Sequence, residues 1–132
     1  MAHALQTVAA SRTTAGLVAI ISDFRGPFDW RPALTSVAGR HTVLAIEIAD
    51  PREGELVDVG ELTLIDPETG RTLRVDTSDR RLRQAFEAAA GVERDGVAAE
   101  FKRLGIRHLR LTTEGSWLAA LARGLDSTGR LT

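Results

Sequence analysis

Three short apolar runs punctuate this chain: LVAII at residues 17–21, TVLAIEIA at 42–49 and IRHLRL at 106–111. Between them the apolar residues shift to the spacing of a helix. This alternation constrains the fold more than any other feature, because strands separated by helices pack as a parallel sheet with helices on its faces. The first run is continuous and rich in branched residues, which reads as a strand buried on both faces. In the second, Leu44, Ile46 and Ile48 share one side. Val43, Ala45 and Glu47 share the other, so one carboxylate falls on an otherwise apolar face.

The helical segments carry their own punctuation. Trp30, Leu34, Val37 and Ala38 lie on one stripe, with Asp29 as the expected N-cap, Pro32 in the first turn and Gly39 at the end. From Arg80 two stripes follow, Leu82 and Phe86, then Val97, Phe101 and Leu104. Gly91 and Gly96 lie between them at a cost of about 1 kcal/mol each, so the segment reads as one weakened helix or two with a short break. Ser116 is placed to cap a last helix with Trp117, Leu118, Leu121 and Leu125 on its apolar side. Residues 5–11 read as the end of a helix within an N-terminal extension, 1–14, and residues 126–132 as a fraying tail. ELTLI and TLRVD flank DPETG and read as a hairpin, with Gly70 supplying the positive φ.

The expected architecture is a single three-layer α/β domain over residues 1–132. Its sheet is small and mostly parallel, with helices on both faces and an inserted β-hairpin. Three parallel strands are few, so one sheet edge must stay open, be covered by the hairpin, or pair with something else.

Composition excludes several classes. A net charge of −1 gives no bulk electrostatic case for a nucleic-acid or anionic-membrane partner. The absence of cysteine removes disulfides, thiolate metal sites and cysteine nucleophiles, and suits a cytoplasmic setting. No apolar run reaches the ~18 residues of a membrane span. No phosphate-binding glycine loop, serine nucleophile elbow or paired-histidine zinc motif is present.

Ligands of open α/β sheets gather at the carboxyl ends of the strands. Here those ends read SDF, ADPRE and LTTEG, which puts Ser22, Asp23, Asp50, Glu53, Thr112 and Thr113 along one rim. Oxygen ligands of this kind suit Mg²⁺. The plainer reading is that Asp23 and Asp50 open turns by accepting from nearby backbone amides.

LVAIISDF, LAIEIADPREGEL, LTLIDPETGRTLRVDTSD and RLRQAFEAAA, in this order and spacing, resemble the C-terminal half of the bacterial domain of unknown function fifty-eight family. The resemblance runs from about Gly16 to about Leu121. It implies a partial von Willebrand factor A-like, Rossmann-like fold, often found with MoxR-type AAA+ ATPases. It further implies a metal-ion-dependent adhesion site in which one loop offers D-x-S-x-S, a second a threonine and a third an aspartate. Asp23 matches the third position, with Ser22 and Asp50 as its neighbours on the rim. In this pattern the first two loops fall upstream of Met1, so the chain alone is expected to hold Mg²⁺ weakly or not at all. The DTSDR at residues 76–80 has Asp and Ser in place but an arginine at the last position, and reads instead as a helix N-cap from Thr77, Ser78 or Asp79.

The missing neighbours would have flanked residues 17–21. The resemblance therefore implies an exposed strand there, and a homodimer through that strand or through a swapped N-terminal helix. Two functions follow as expectations. One is a non-enzymatic protein-interaction module acting with a MoxR-type ATPase, in which Trp30 and Trp117 anchor a partner if they are exposed. The other is a small Mg²⁺-dependent enzyme using rim carboxylates, for which no base or nucleophile stands beside them.

Overall fold

The computed structural model describes residues 1–11, 14–67 and 69–126. Of the expected tail only Asp126 is among them. The chain forms two compact units, residues 1–49 with 96–132, and residues 50–95. In the first, helix α1 (Ala2–Ala10) precedes strand β1 (Leu17–Ser22), helix α2 (Arg31–Ala38) and strand β2 (Thr42–Ala49). The last part of helix α3 (Arg80–Arg103), from Gly96 on, strand β5 (Arg107–Thr112) and helix α4 (Trp117–Asp126) complete it. The sheet is parallel throughout, in the order β1-β2-β5. The register pairs Ala19 with Leu44 and Ile46 with Leu109.

β2 is thus the central strand, and its burial follows: six of its eight residues are buried. β1 is an edge. The expectation that it is buried on both faces fails, since Leu17 and Ile21 are 54% and 67% exposed. Only its inner side, through Val18 and Ile20, reaches the core. A continuous apolar run cannot distinguish a strand covered twice from one whose cover is missing.

Two cores make the three layers. On one face of the sheet Ile20, Val43 and Ala45 pack with Leu5, Leu34, Val37, Val97 and an aromatic cluster. Phe101 sits at the cluster's centre, with ring centroids 4.8 Å from Phe24 and 5.7 Å from Trp30. On the other face Leu44, Ile46 and Leu111 meet Leu109, Ala120 and Leu121.

Two helices depart in detail from the sequence pattern. α2 begins at Arg31 with Trp30 in the capping position and no side-chain cap, so Asp29 does not serve. The buried indole fixes where the helix starts instead. Ser116 does cap α4, its Oγ accepting from Ala119 at 3.4 Å. The face α4 buries is not the expected one, however: Trp117, Leu118 and Leu125 are exposed. A Cβ on Gly124 would lie 2.7 Å from the Leu109 side chain. The helix therefore presents Ala120, Leu121 and Gly124 to the sheet and turns Trp117, Leu118 and Leu125 outward. Arg107 secures this contact by donating to the Gly124 and Leu125 carbonyls, at the negative end of the helix dipole.

The second unit holds a short 3₁₀ turn (Pro51–Gly54), strands β3 (Glu61–Ile65) and β4 (Thr72–Asp76), and the first part of helix α3 (Arg80–Arg103). β3 and β4 form the expected hairpin as a separate two-stranded sheet, closed at Gly70 with φ of 69°. α3 is one helix of 24 residues, so neither Gly91 nor Gly96 breaks it. Its N-cap is Asp79, whose carboxylate accepts from the Arg81 amide at 2.8 Å. Thr77 is fully buried and ties the hairpin's base. Its hydroxyl donates to the Gly60 carbonyl at 2.7 Å and accepts from the Val59 amide at 2.9 Å.

Candidate functional site

The carboxyl-end rim explains why β1 ends on Ser22-Asp23. Ser22 Oγ accepts from the Phe24 amide at 3.1 Å, and Asp23 Oδ1 accepts from the Arg25 amide at 3.2 Å. Between them Phe24 adopts φ of 52°, a left-handed conformation that costs a non-glycine residue about 1–2 kcal/mol. Its ring, 1% exposed against Trp30 and Phe101, offsets that cost. The two polar side chains thus satisfy a sharp turn that drives an aromatic ring into the core.

Asp50 does the same kind of work in the second unit. It caps the 3₁₀ turn, with Oδ1 accepting from the Arg52 amide at 2.9 Å and from Arg52 Nε at 3.4 Å. The hydrogen bond from the Arg52 amide holds its carboxyl below the usual range, opposed by desolvation and aided by the charge and side chain of Arg52. On β5, Thr112 Oγ1 donates to the Glu114 carbonyl at 2.9 Å, and the Thr113 amide donates to the Ala49 carbonyl at 3.0 Å.

Among the described residues, the rim donors Ser22, Asp23 and Asp50 do not make up a self-sufficient Mg²⁺ site. Asp23, which the resemblance places in the adhesion-site pattern, has its Oδ1 engaged by the Arg25 amide and by Ser22 Oγ. Among the described residues no group of three or more His, Asp or Glu side chains could hold a metal ion. Mg²⁺ needs near-octahedral oxygen geometry to compensate its dehydration.

The sequence pattern passed over a polar cluster on the sheet itself. Glu47, 6% exposed on the central strand, is hydrogen-bonded through Oε2 to His108 Nε2 at 2.7 Å. Its other oxygen faces Arg110 Nε at 3.5 Å. The register sets Glu47 opposite Arg110, with His108 two residues back on the same face. The His108 ring also lies 4.8 Å from Phe101. Both oxygens of the carboxylate are committed within the sheet, an arrangement that satisfies a buried charge. The usable signal was Glu47's place in the period-two pattern; its partners depend on register, which that pattern does not give.

Glu100 is a second buried carboxylate, bridging Arg103 and Arg31, the latter at 3.3 Å. The Arg103 hydrogen bond holds its carboxyl below the usual range, opposed by burial and aided by the charges of Arg103 and Arg31. A carboxylate whose folded pKa is depressed contributes stability above its ordinary pKa and loses it as pH falls through the folded value. Glu100→Gln is therefore expected to cost about 1 kcal/mol at pH 7, at the low end because both arginines stay in solvent. The difference from the wild type should close below roughly pH 4.5. Urea unfolding at neutral and acid pH measures it; a gap that persists in acid would show that the charge is not the cause.

Trp30 is 1% exposed, so it is a core residue and not a partner anchor, whereas Trp117 is 55% exposed. Among the described residues no helix is long and apolar enough to cross a membrane.

A parallel three-stranded sheet with helices on both faces and a polar carboxyl-end rim defines an α/β protein of Rossmann-like build. The sequence profile of the family described as "Protein of unknown function DUF58" matches residues 1–96, and the chain belongs to that family. The match begins earlier and ends earlier than the motif resemblance. An uncharacterized Mycobacterium avium protein is 41% identical over 130 residues, covering 98% of this chain and 76% of its own length. Uncharacterized proteins of Mycobacterium bovis and Mycobacterium tuberculosis are each 44% identical over 115 residues, 87% of this chain. The match spans 36% of their length. No solved structure matches the chain.

Proposed function

We propose that this chain is a non-enzymatic protein-interaction module, a partial von Willebrand A-like domain that acts in the cytoplasm with a MoxR-type AAA+ ATPase. The observation that supports this reading best is the apolar surface of residues 50–95. On one side of the hairpin Leu64 and Leu73 face each other and are 46% and 61% exposed. On α3, Phe86 and Val92 are exposed as well. Exposed apolar residues gathered on a small unit are characteristic of docking surfaces. In the other unit, exposed Trp117 is suited to anchor a partner. The turn-forming roles of Asp23 and Asp50 favour this over a Mg²⁺-dependent enzyme.

The test is binding of the purified protein to a mycobacterial MoxR-type ATPase by interferometry, with Leu73→Glu and Trp117→Ala as variants. Saturable binding is expected, weakened roughly tenfold or more by each change. No binding by the wild type, or binding of both variants as tight as the wild type's, overturns the proposal.

A further inference from the structure

The turn between α2 and β2 grips the chain that enters β1. Arg40 Nη1 donates to the Ala9 carbonyl near the end of α1 at 3.0 Å. The Thr42 amide donates to the Gly16 carbonyl at 2.9 Å. Between these two, His41 Nδ1 accepts from the Gly16 amide at 3.2 Å. Gly16 is therefore held by both of its backbone groups, one of them on a titratable ring. The backbone of His41 is fixed in turn, its amide donating to the Val37 carbonyl at 2.9 Å.

The bond to Gly16 sets the chemistry of the ring. A nitrogen that accepts from an amide carries no proton, so the neutral imidazole has its proton on Nε2. His41 is only 9% exposed, and Nε2 has no hydrogen-bond partner among the described residues. Inside the fold one ring nitrogen is satisfied and the other is not, whereas in water both would be. The inward ring is thus finely balanced, and protonation acts on that balance in one direction. It turns Nδ1 from acceptor into donor, facing the Gly16 N–H, and it buries a charge. With Nδ1 on Gly16 and Nε2 unpartnered, no carboxylate among the described residues is bonded to the ring. Arg40 is the charged neighbour on the same turn. α1 carries His3, α2 carries Arg31, and β1 carries no titratable group. The end of α3 carries Glu100, Lys102 and Arg103, and Glu100 is engaged by Arg103 and Arg31. Glu47 of β2 is committed to His108 and Arg110.

We infer that His41 is a proton-sensitive latch between the entrance of β1 and the start of β2, closed while its imidazole is neutral and opened by acid. Its groups belong to Ala9, Gly16 and residues 37–42, and it does not depend on the choice of an ATPase partner. On protonation the ring turns to water and the Gly16 amide loses its acceptor. The entrance of β1 is then held by the Thr42 bond alone. Farther along, β2 keeps its pairing with β1 and β5, so the opening is local.

Heteronuclear NMR of the protein, titrated from about pH 8 to about pH 5 where histidines ordinarily change charge, tests this. At the upper end the His41 ring should show a bare Nδ1 and a protonated Nε2. Protection of the Gly16 amide, corrected for the intrinsic pH dependence of exchange, should fall about tenfold or more as the ring protonates. The Ile46 amide in the central strand should keep its protection. His41→Asn places an oxygen where Nδ1 stands and cannot titrate, so Gly16 protection should become independent of pH; the wild-type titration decides alone should this variant fail to fold. Constant protection of Gly16 in the wild type overturns the inference, as does a proton on Nδ1 at the upper end or an equal loss at Ile46. So does an Asn variant whose Gly16 amide follows the wild-type pH profile.

Discussion

Phe101→Ala is expected to lower the unfolding free energy by about 3–5 kcal/mol, the range for deleting a fully buried aromatic ring. Phe101 is 0% exposed and touches Phe24, Trp30 and His108 through its ring. Those neighbours cannot collapse into the space it leaves, since Phe24 is tied to the β1 turn and Trp30 heads α2. Against the 5–15 kcal/mol that holds a typical domain folded, such a loss is large, and the melting temperature should fall by roughly 10–20 °C. Phe86→Ala, on the same helix but 42% exposed, is the control and should cost under about 1 kcal/mol. Thermal and urea unfolding followed by circular dichroism measure both. Equal losses at the two positions would mean that the aromatic cluster is not the centre of the core.

Glu47→Ala should cost about 1–3 kcal/mol, because it removes a buried side chain and leaves the half-buried His108 ring without its hydrogen-bond partner. Replacing both partners distinguishes a structural pair from a chemical one. Glu47→Leu combined with His108→Leu removes donor and acceptor together and fills their volume, and should recover most of the lost stability. Arg110, 37% exposed at its side chain, can turn to water in either variant. A double variant as unstable as Glu47→Ala would show that the polar pair is required for the sheet's geometry and is not merely tolerated within it.

The layer structure was legible because the apolar period changes cleanly from strand to helix at each boundary, and because DPETG and Ser116 punctuate as their chemistry requires. What lay beyond reach depends on how elements meet. The apolar run of β1 says that it has a buried side, yet its place at the edge follows from β5 docking on the far side of β2. The partners of Glu47 are fixed by the β2–β5 register, which slides freely in a pattern of period two. The rotation of α4 is governed by the close approach of Gly124 to Leu109, which no amphipathic stripe records. At the rim, Asp23 and Asp50 were legible both as metal ligands and as turn formers, and only hydrogen-bond geometry shows their carboxylates engaged by their own loops.

The joining of β2 to β5 has a kinetic side. Glu47 and His108 lie 61 residues apart in sequence, whereas β1 and β2 are linked by one short helix. Closing a long excursion costs entropy before any contact rewards it. The β1–α2–β2 portion is thus the natural place for assembly to begin. Until the last strand arrives, the flank of β2 away from β1 is bare, and slow arrival leaves the nascent chain open to mispairing with its neighbours.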